Sequence, residues 1–180
     1  MLISRQSNIT VVSTINFNSA TFTTQLIDSL INANLRHCKV VVCDNNSSDN
    51  SCENIVKHLQ KKECSFSENF DLQNNDICSE KQFRFTNDLM FFFLELKENY
   101  GFAKATNIAY EYANNSISFK YFWLLNNDAT ILNSTLPKLM EAAKKHNDNI
   151  LLSSLIFEDN TRRAVWFSGG VYNKYFAIGK

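Results

Sequence analysis

The sequence predicts an α/β fold with a mostly parallel central sheet and helices on both faces. Three observations carry that prediction. Short apolar strands run without in–out alternation, amphipathic helical segments follow them, and the two types alternate along the chain. Residues 8–15 (NITVVSTI) are rich in β-branched side chains and read as a buried strand. Phe22, Leu26, Ile27, Leu30 and Ile31 then fall at helical spacing, with Ser19 or Thr21 as the cap. KVVVCD (39–44) is a second strand; NNSSDNS (45–51) is a turn-and-cap cluster, in which Asp49 caps the next helix, CENIVKHLQKK (52–62). Residues 63–88 lack sustained periodicity and read as a polar insertion within one domain, with a short strand at QFRF (82–85). LMFFFLEL (89–96) is a third strand. A turn at Gly101 leads into a helix burying Phe102, Ile108 or Ala105, Ala109 and Tyr112. KYFWLLN (120–126) is a strand, and residues 134–146 form a helix with Pro137 in its first turn, where a missing amide costs little. Two further strands, 149–157 and 163–170, are joined by the polar turn EDNTR.

Composition narrows the function classes. At 180 residues and 44% hydrophobic content the chain suits one domain with a sizeable core. Eighteen basic and eighteen acidic side chains cancel, so nothing global points to a nucleic-acid partner. Five cysteines at positions 38, 43, 52, 64 and 78 make no CxxC knuckle, and Cys43 reads as a core residue; a reduced, cytoplasmic chain is the simplest expectation. The longest apolar run, residues 89–94, is too short for a membrane span, which leaves peripheral membrane contact open. Neither GxGxxG nor GxxxxGK[ST] occurs, and no GxSxG elbow accompanies the serines. His37, His58 and His146 fall near helix ends and loops without a partner motif.

In doubly covered parallel sheets, ligands bind beyond the carboxyl ends of the strands. Those ends carry Asn16 and Asn18; Asp44, Asn45 and Asn46; Asn99 and Gly101; and Asn126, Asn127 and Asp128. Two readings stand. Strand-to-helix turns use Asn, Asp and Ser in any case. Alternatively, the four tips make one polar rim suited to a sugar, a base and a diphosphate. In that reading the Asp44 carboxylate accepts bonds from a base or ribose. Asp128, a hard oxygen ligand, holds Mg²⁺ or Mn²⁺ together with phosphate oxygens.

Taken in order, VVSTINFNSATF, VVVCDNNSSDNS, ENYGFAKATNIAYEYA and YFWLLNNDATI resemble the family 2 glycosyltransferases, inverting nucleotide-sugar transferases of the GT-A (Rossmann-like) fold, especially their rhamnosyltransferase-like branch. The resemblance implies that Asp44 contacts the nucleoside base and that Asn126, Asn127 and Asp128 stand in the DxD-type position, with Asp128 on the metal. It puts Gly101, Phe102 and Asn107 near the donor pocket, alongside Asn16, Asn18 and Asn46. Lys104 is either a phosphate contact there or an ordinary solvated lysine. Gly169 and Gly170 resemble the glycine pair after the acceptor-side strand. The implied donor is a UDP- or dTDP-linked sugar. The implied acceptor is a cell-surface glycan or lipid-linked sugar at the inner face of the cytoplasmic membrane.

Two departures qualify this. Ala105 stands where the family has glycine. The acidic E-D motif that deprotonates the acceptor hydroxyl is also not recognisable before Lys180, since Glu158-Asp159 arrives early and reads as a turn. The expectation is therefore a C-terminally incomplete GT-A-type domain lacking its general base. The alternative is a chain that binds nucleotide sugar, or merely folds, without transfer.

Overall fold

The computed structural model describes residues 8–33, 35–62, 64–69, 74–85, 88–146, 151–158, 163–167, 172–173 and 178–179. The chain forms two compact units, Met1–Ile131 and Leu132–Lys180. In the first, the elements are β1 (Thr10–Asn16), α1 (Ala20–Asn32), β2 (Cys38–Asp44), α2 (Ser51–Gln60), β3 (Cys64–Asn69), β4 (Ile77–Phe85), β5 (Met90–Leu96), α3 (Gly101–Ser116) and β6 (Tyr121–Leu124). They build one six-stranded sheet in the order β3-β4-β5-β2-β1-β6. Strands β5, β2, β1 and β6 are mutually parallel, with Asn16 level with Asp44 and Asp44 level with Glu95. Their carboxyl ends therefore share one edge. β1 lies between β2 and β6, so the strand order reverses there, the usual place for a ligand crevice.

Alternate residues of each strand serve opposite layers. Val11, Ile15, Val41, Cys43, Met90, Phe92 and Leu94 pack with Ala105, Ile108, Ala109, Tyr112 and Ala113 of α3. Asn16 faces the other layer, where Thr23 of α1 bonds it; Leu26, Ile27 and Leu30 of α1 and Ile55 and Leu59 of α2 are buried. Ala105 is fully buried in the α3 layer, so its methyl group fills core volume. Two expected core residues lie outside. Phe22 is 51% exposed and Phe102 52%. On α1, Thr23 takes the inward position because its hydroxyl completes a bond to Asn16; on α3 the buried stripe begins at Ala105, one turn after Phe102.

Residues 63–88 differ from the expected aperiodic insertion. β3 and β4 form an antiparallel hairpin that widens the sheet beside β5. The strand at 82–85 belongs to the longer β4, whose polar centre hid it. Lys81 pairs with Glu95 and, at 2.9 Å, with Glu68, while Gln82 bonds Glu80; apolar burial comes from Ile77, Phe83 and Phe85. The Phe83 ring lies 5.1 Å from Phe66.

The second unit contains α4 (Thr135–Lys145), with Pro137 in its first turn. Two short antiparallel pairs follow: β7 (Ile156–Phe157) with β8 (Val165–Phe167), and β9 (Tyr172–Asn173) with β10 (Ile178–Gly179). Of the strand expected over 149–157, the described residues 151–157 are regular only at Ile156 and Phe157, and Leu151, Leu152 and Leu155 are exposed. At the expected turn, the Glu158 amide donates to the Ala164 carbonyl at 3.1 Å. Asp159, Gly169 and Gly170 lie outside the described residues.

Candidate functional site

All ten residues singled out at the strand tips belong to the first unit. At its centre is Asn16, fully buried at the end of β1. Its Nδ2 donates to Asp44 Oδ1 at 2.7 Å and to Ser47 Oγ at 3.1 Å, and its Oδ1 accepts from the Thr23 hydroxyl at 2.7 Å. These three contacts use both amide hydrogens and fix which way the amide faces. Asn127 reaches the same cluster from β6, donating from Nδ2 to Thr23 Oγ1 at 3.1 Å.

Asp44 ends β2 with only 3% of its surface exposed. Besides Asn16, its Oδ1 accepts from Ser47 Oγ at 2.7 Å, and its Oδ2 accepts from the Ser47 amide at 2.9 Å. A buried carboxylate must be hydrogen-bonded to be tolerated, and Ser47 supplies that from three residues along the loop. Asn18, in the left-handed region at φ 50°, clasps the same loop. Its Oδ1 accepts from the amides of Ser48 (2.8 Å) and Asp49 (3.3 Å), and its own amide donates to Ser47 Oγ (2.9 Å). Asn46 takes the left-handed region too, at φ 58°. Asp49 Oδ1 accepts from the Ser51 amide at 2.9 Å, a turn contact onto the first residue of α2, whereas the cap position itself is taken by Asn50, which makes no side-chain cap bond.

The network continues to β5. The Asn45 amide donates to the Asn16 carbonyl at 2.8 Å, and Asn45 Nδ2 to Asn99 Oδ1 at 2.9 Å. Asn45 Oδ1 accepts from the Tyr100 amide at 3.0 Å, and Asn99 Oδ1 accepts from the Gly101 amide at 2.9 Å. Gly101, at φ 72°, turns the chain into α3, and nothing lies within 4 Å of the place a Cβ would take. Hydrogen bonds thus join the ends of all four parallel strands.

Two layers result. Asn16, Thr23, Asp44, Asn45 and Ser47 spend most of their polar groups on one another. Asn46, Phe102, Lys104, Asn107, Asn126 and Asp128 stand exposed on the same loops and helix start. Phe17, at the tip of β1, is also exposed.

The sequence matches glycosyl transferase family 2 over residues 11–178. The chain belongs to that family. The crystal structure of S. aureus TarS 1-349 has the same fold, with a TM-score of 0.52 and 18% identity over 84% of this chain and 40% of that one. A second S. aureus TarS crystal structure gives 0.51 and 17%, over 84% of this chain and 24% of that one. The chain thus spans less than half the length of either. No curated protein sequence matches it.

At the tip of β6 the first unit offers a divalent ion one carboxylate. Asp128 is an exposed carboxylate without a partner among the described residues, and Asn126 beside it is exposed as well. No group of three or more His, Cys, Asp or Glu side chains able to hold a metal occurs among the described residues. Bound phosphate oxygens would have to complete the coordination, as is usual for Mg²⁺. Cys38 and Cys43 are core residues. Burial pushes the Cys38 thiol up to about 12 and the Cys43 thiol higher, and all five are free.

Sequence reasoning passed over four residues bonded at or beside the strand tips: Thr23, Ser47, Tyr100 and, through the Tyr100 hydroxyl at 2.8 Å, Asp76. Thr23 sits where helical periodicity alone marks a core face. Ser47 was one of several interchangeable turn residues. Tyr100 precedes the motif glycine, and Asp76 comes from the hairpin that read as an insertion.

Proposed function

We propose that the strand-tip rim binds a nucleoside diphosphate sugar and that the chain is the donor-binding portion of an inverting, rhamnosyltransferase-like glycosyltransferase. The carrying observation is the hydrogen-bonded rim joining four parallel strand ends in a family 2 domain, with Asp128 exposed at one end and Lys104 at the other. The donor is UDP- or dTDP-linked. Asp44 Oδ2 takes one internal bond against two on Oδ1, which leaves it acceptor capacity for a base imide. The exposed Phe17 ring offers a stacking surface for the base. Asn16 and Asn18 act by holding the loops, and Asn46, Phe102 and Asn107 line the exposed side, with Gly101 leaving backbone room.

Asp128, with Asn126 and Asn127 shaping its loop, would hold Mg²⁺ or Mn²⁺, which supplies Lewis-acid stabilisation of the departing diphosphate. Lys104 adds a positive charge from the opposite end of the rim. The acceptor is a glycan or lipid-linked sugar at the inner face of the cytoplasmic membrane; no helix among the described residues is long and apolar enough to cross a membrane.

One observation favours a second reading, donor binding without transfer. Of the three rim aspartates, Asp44 and Asp49 are bonded within the loops and Asp128 is allotted to the metal, so none is available as the acceptor's base. Titrating UDP- and dTDP-sugars with and without Mn²⁺, on the wild type and Asp128→Ala, tests both readings. Metal-dependent binding that disappears in Asp128→Ala supports the site; metal-dependent binding that survives unchanged overturns the metal assignment. Failure to bind any of these donors overturns donor binding altogether. Binding without transfer or hydrolysis selects the second reading.

A further inference from the structure

The segments at the four strand tips, residues 16–19, 44–50, 97–107 and 125–131, contain two cations, Lys97 and Lys104. A departing nucleoside diphosphate carries about one more negative charge than a divalent ion neutralises, so a cation fixed at the rim has a clear use. Lys104 is the one held by an aromatic ring. Its Nζ lies 3.8 Å from the centroid of the Tyr100 ring, a cation–π contact. Tyr100 is itself fixed at both ends. Its amide donates to Asn45 Oδ1 at the tip of β2 (3.0 Å), and its hydroxyl donates to Asp76 Oδ1 (2.8 Å).

Asp76 lies in the turn before β4 and is equally constrained. Its amide donates to Asn74 Oδ1 at 2.9 Å, and its carbonyl accepts from the Lys97 amide at 3.0 Å, tying that turn to the end of β5. Loss of solvent around the phenol, then the hydroxyl bond to Asp76 and the charges of Asp76 and Glu98, push Tyr100 up to about 12, so it remains a donor across the working pH range. α3 packs over β1 and β2, and its first turn begins just past the carboxyl end of β5.

We propose that Tyr100 and Asp76 are positioning residues that hold the Lys104 ammonium ready for the donor diphosphate. This rests on the donor-binding reading given above. It gives the β3–β4 hairpin a function: the hairpin carries the anchor of a rim cation. It takes up the phosphate-contact reading of Lys104.

The test is calorimetric titration of the whole chain with UDP and dTDP, and with uridine and thymidine as uncharged controls, with and without Mg²⁺. Lys104→Ala should weaken diphosphate binding about tenfold, the loss of one charge-assisted contact, and leave the nucleosides unaffected. Tyr100→Leu and Asp76→Ala should each weaken the diphosphate about threefold, again sparing the nucleosides. Lys104→Arg should restore most of the loss. The effects should persist without Mg²⁺, which separates them from the metal site. Thermal unfolding of each variant checks the fold, and Tyr100→Phe, which keeps the ring, should lie between wild type and Tyr100→Leu. Unchanged diphosphate affinity in Lys104→Ala or Tyr100→Leu overturns the inference while leaving donor binding intact. Equal weakening of nucleosides and diphosphates also overturns it, since a merely structural role would do that. A wild type that binds no diphosphate overturns the donor-binding reading and this inference with it.

Discussion

Replacing Asp44 with alanine tests whether the buried layer of the rim is held by its carboxylate. Three donors converge on that group: Asn16 Nδ2 and Ser47 Oγ at 2.7 Å, and the Ser47 amide at 2.9 Å. Hydrogen bonds to charged groups are each worth about 1.5–3 kcal/mol, but a simple sum overcounts. Ser47 is half-buried, so water can replace its lost partner. Asn16 is fully buried and keeps Ser47 Oγ and Thr23, which leaves one amide hydrogen without an acceptor. That orphan costs about 1–3 kcal/mol, and loosening the Ser47 turn adds about 1 kcal/mol. The expected destabilisation is about 2–4 kcal/mol. Asp44→Asn keeps the shape but turns one acceptor into a donor facing a donor, for about 1–2 kcal/mol. Urea denaturation should show a lower midpoint at unchanged slope for both variants, with alanine the lower. An Asp44→Ala midpoint equivalent to less than about 0.5 kcal/mol from wild type would refute the brace, because substitutions away from such features usually fall in that range.

Gly101→Ala should cost about 1 kcal/mol in the same assay. The expense comes from the left-handed backbone, since nothing crowds the new methyl group, and Gly101→Asn should cost less. Asp128→Ala, at an exposed site, should leave the denaturation midpoint within about 0.5 kcal/mol of wild type while abolishing any Mn²⁺ enhancement of nucleotide binding. Asp28 joins α1 to α2 through His58 (2.9 Å) and Lys62 (2.7 Å). Burial raises its carboxyl pKa, but the bonds from Lys62 and His58 outweigh that and hold it below its ordinary value. A lowered carboxyl contributes stability above its unfolded pKa of about 3.9, and loses it as pH falls through the folded value. Asp28→Asn should therefore lower stability at neutral pH and converge with wild type in acid, by a small amount because the pair is partly solvated.

Much of the fold was legible because the central strands are unusually plain. β1, β2 and β5 are buried on both faces and rich in apolar side chains, as a strand between two helical layers is expected to be. β4 was not legible as a whole. Its Glu80, Lys81 and Gln82 look like a solvated run, and only the partners supplied by Glu95 and Glu68 make them acceptable inside a sheet. Phe22 and Phe102 were placed in the core on periodicity, which cannot tell a helix's inward face from a first turn that overhangs the sheet edge. At the site, the position of the rim followed from the strand tips. What could not be read was which polar residues would be consumed internally. Asn16 and Asn126 are both strand-tip asparagines, yet one is buried with its amide satisfied and the other is exposed. That difference depends on Thr23, Asp44 and Ser47 meeting in space.

The most direct test of donor binding at this edge is to map backbone amide shifts by heteronuclear NMR while titrating a UDP- or dTDP-sugar with Mg²⁺. Shifts should concentrate in residues 16–18, 44–48, 99–107 and 126–128, at the carboxyl ends of β1, β2, β5 and β6. A saturable shift pattern centred elsewhere, with those four segments unmoved, would contradict the assignment of the rim as the donor site.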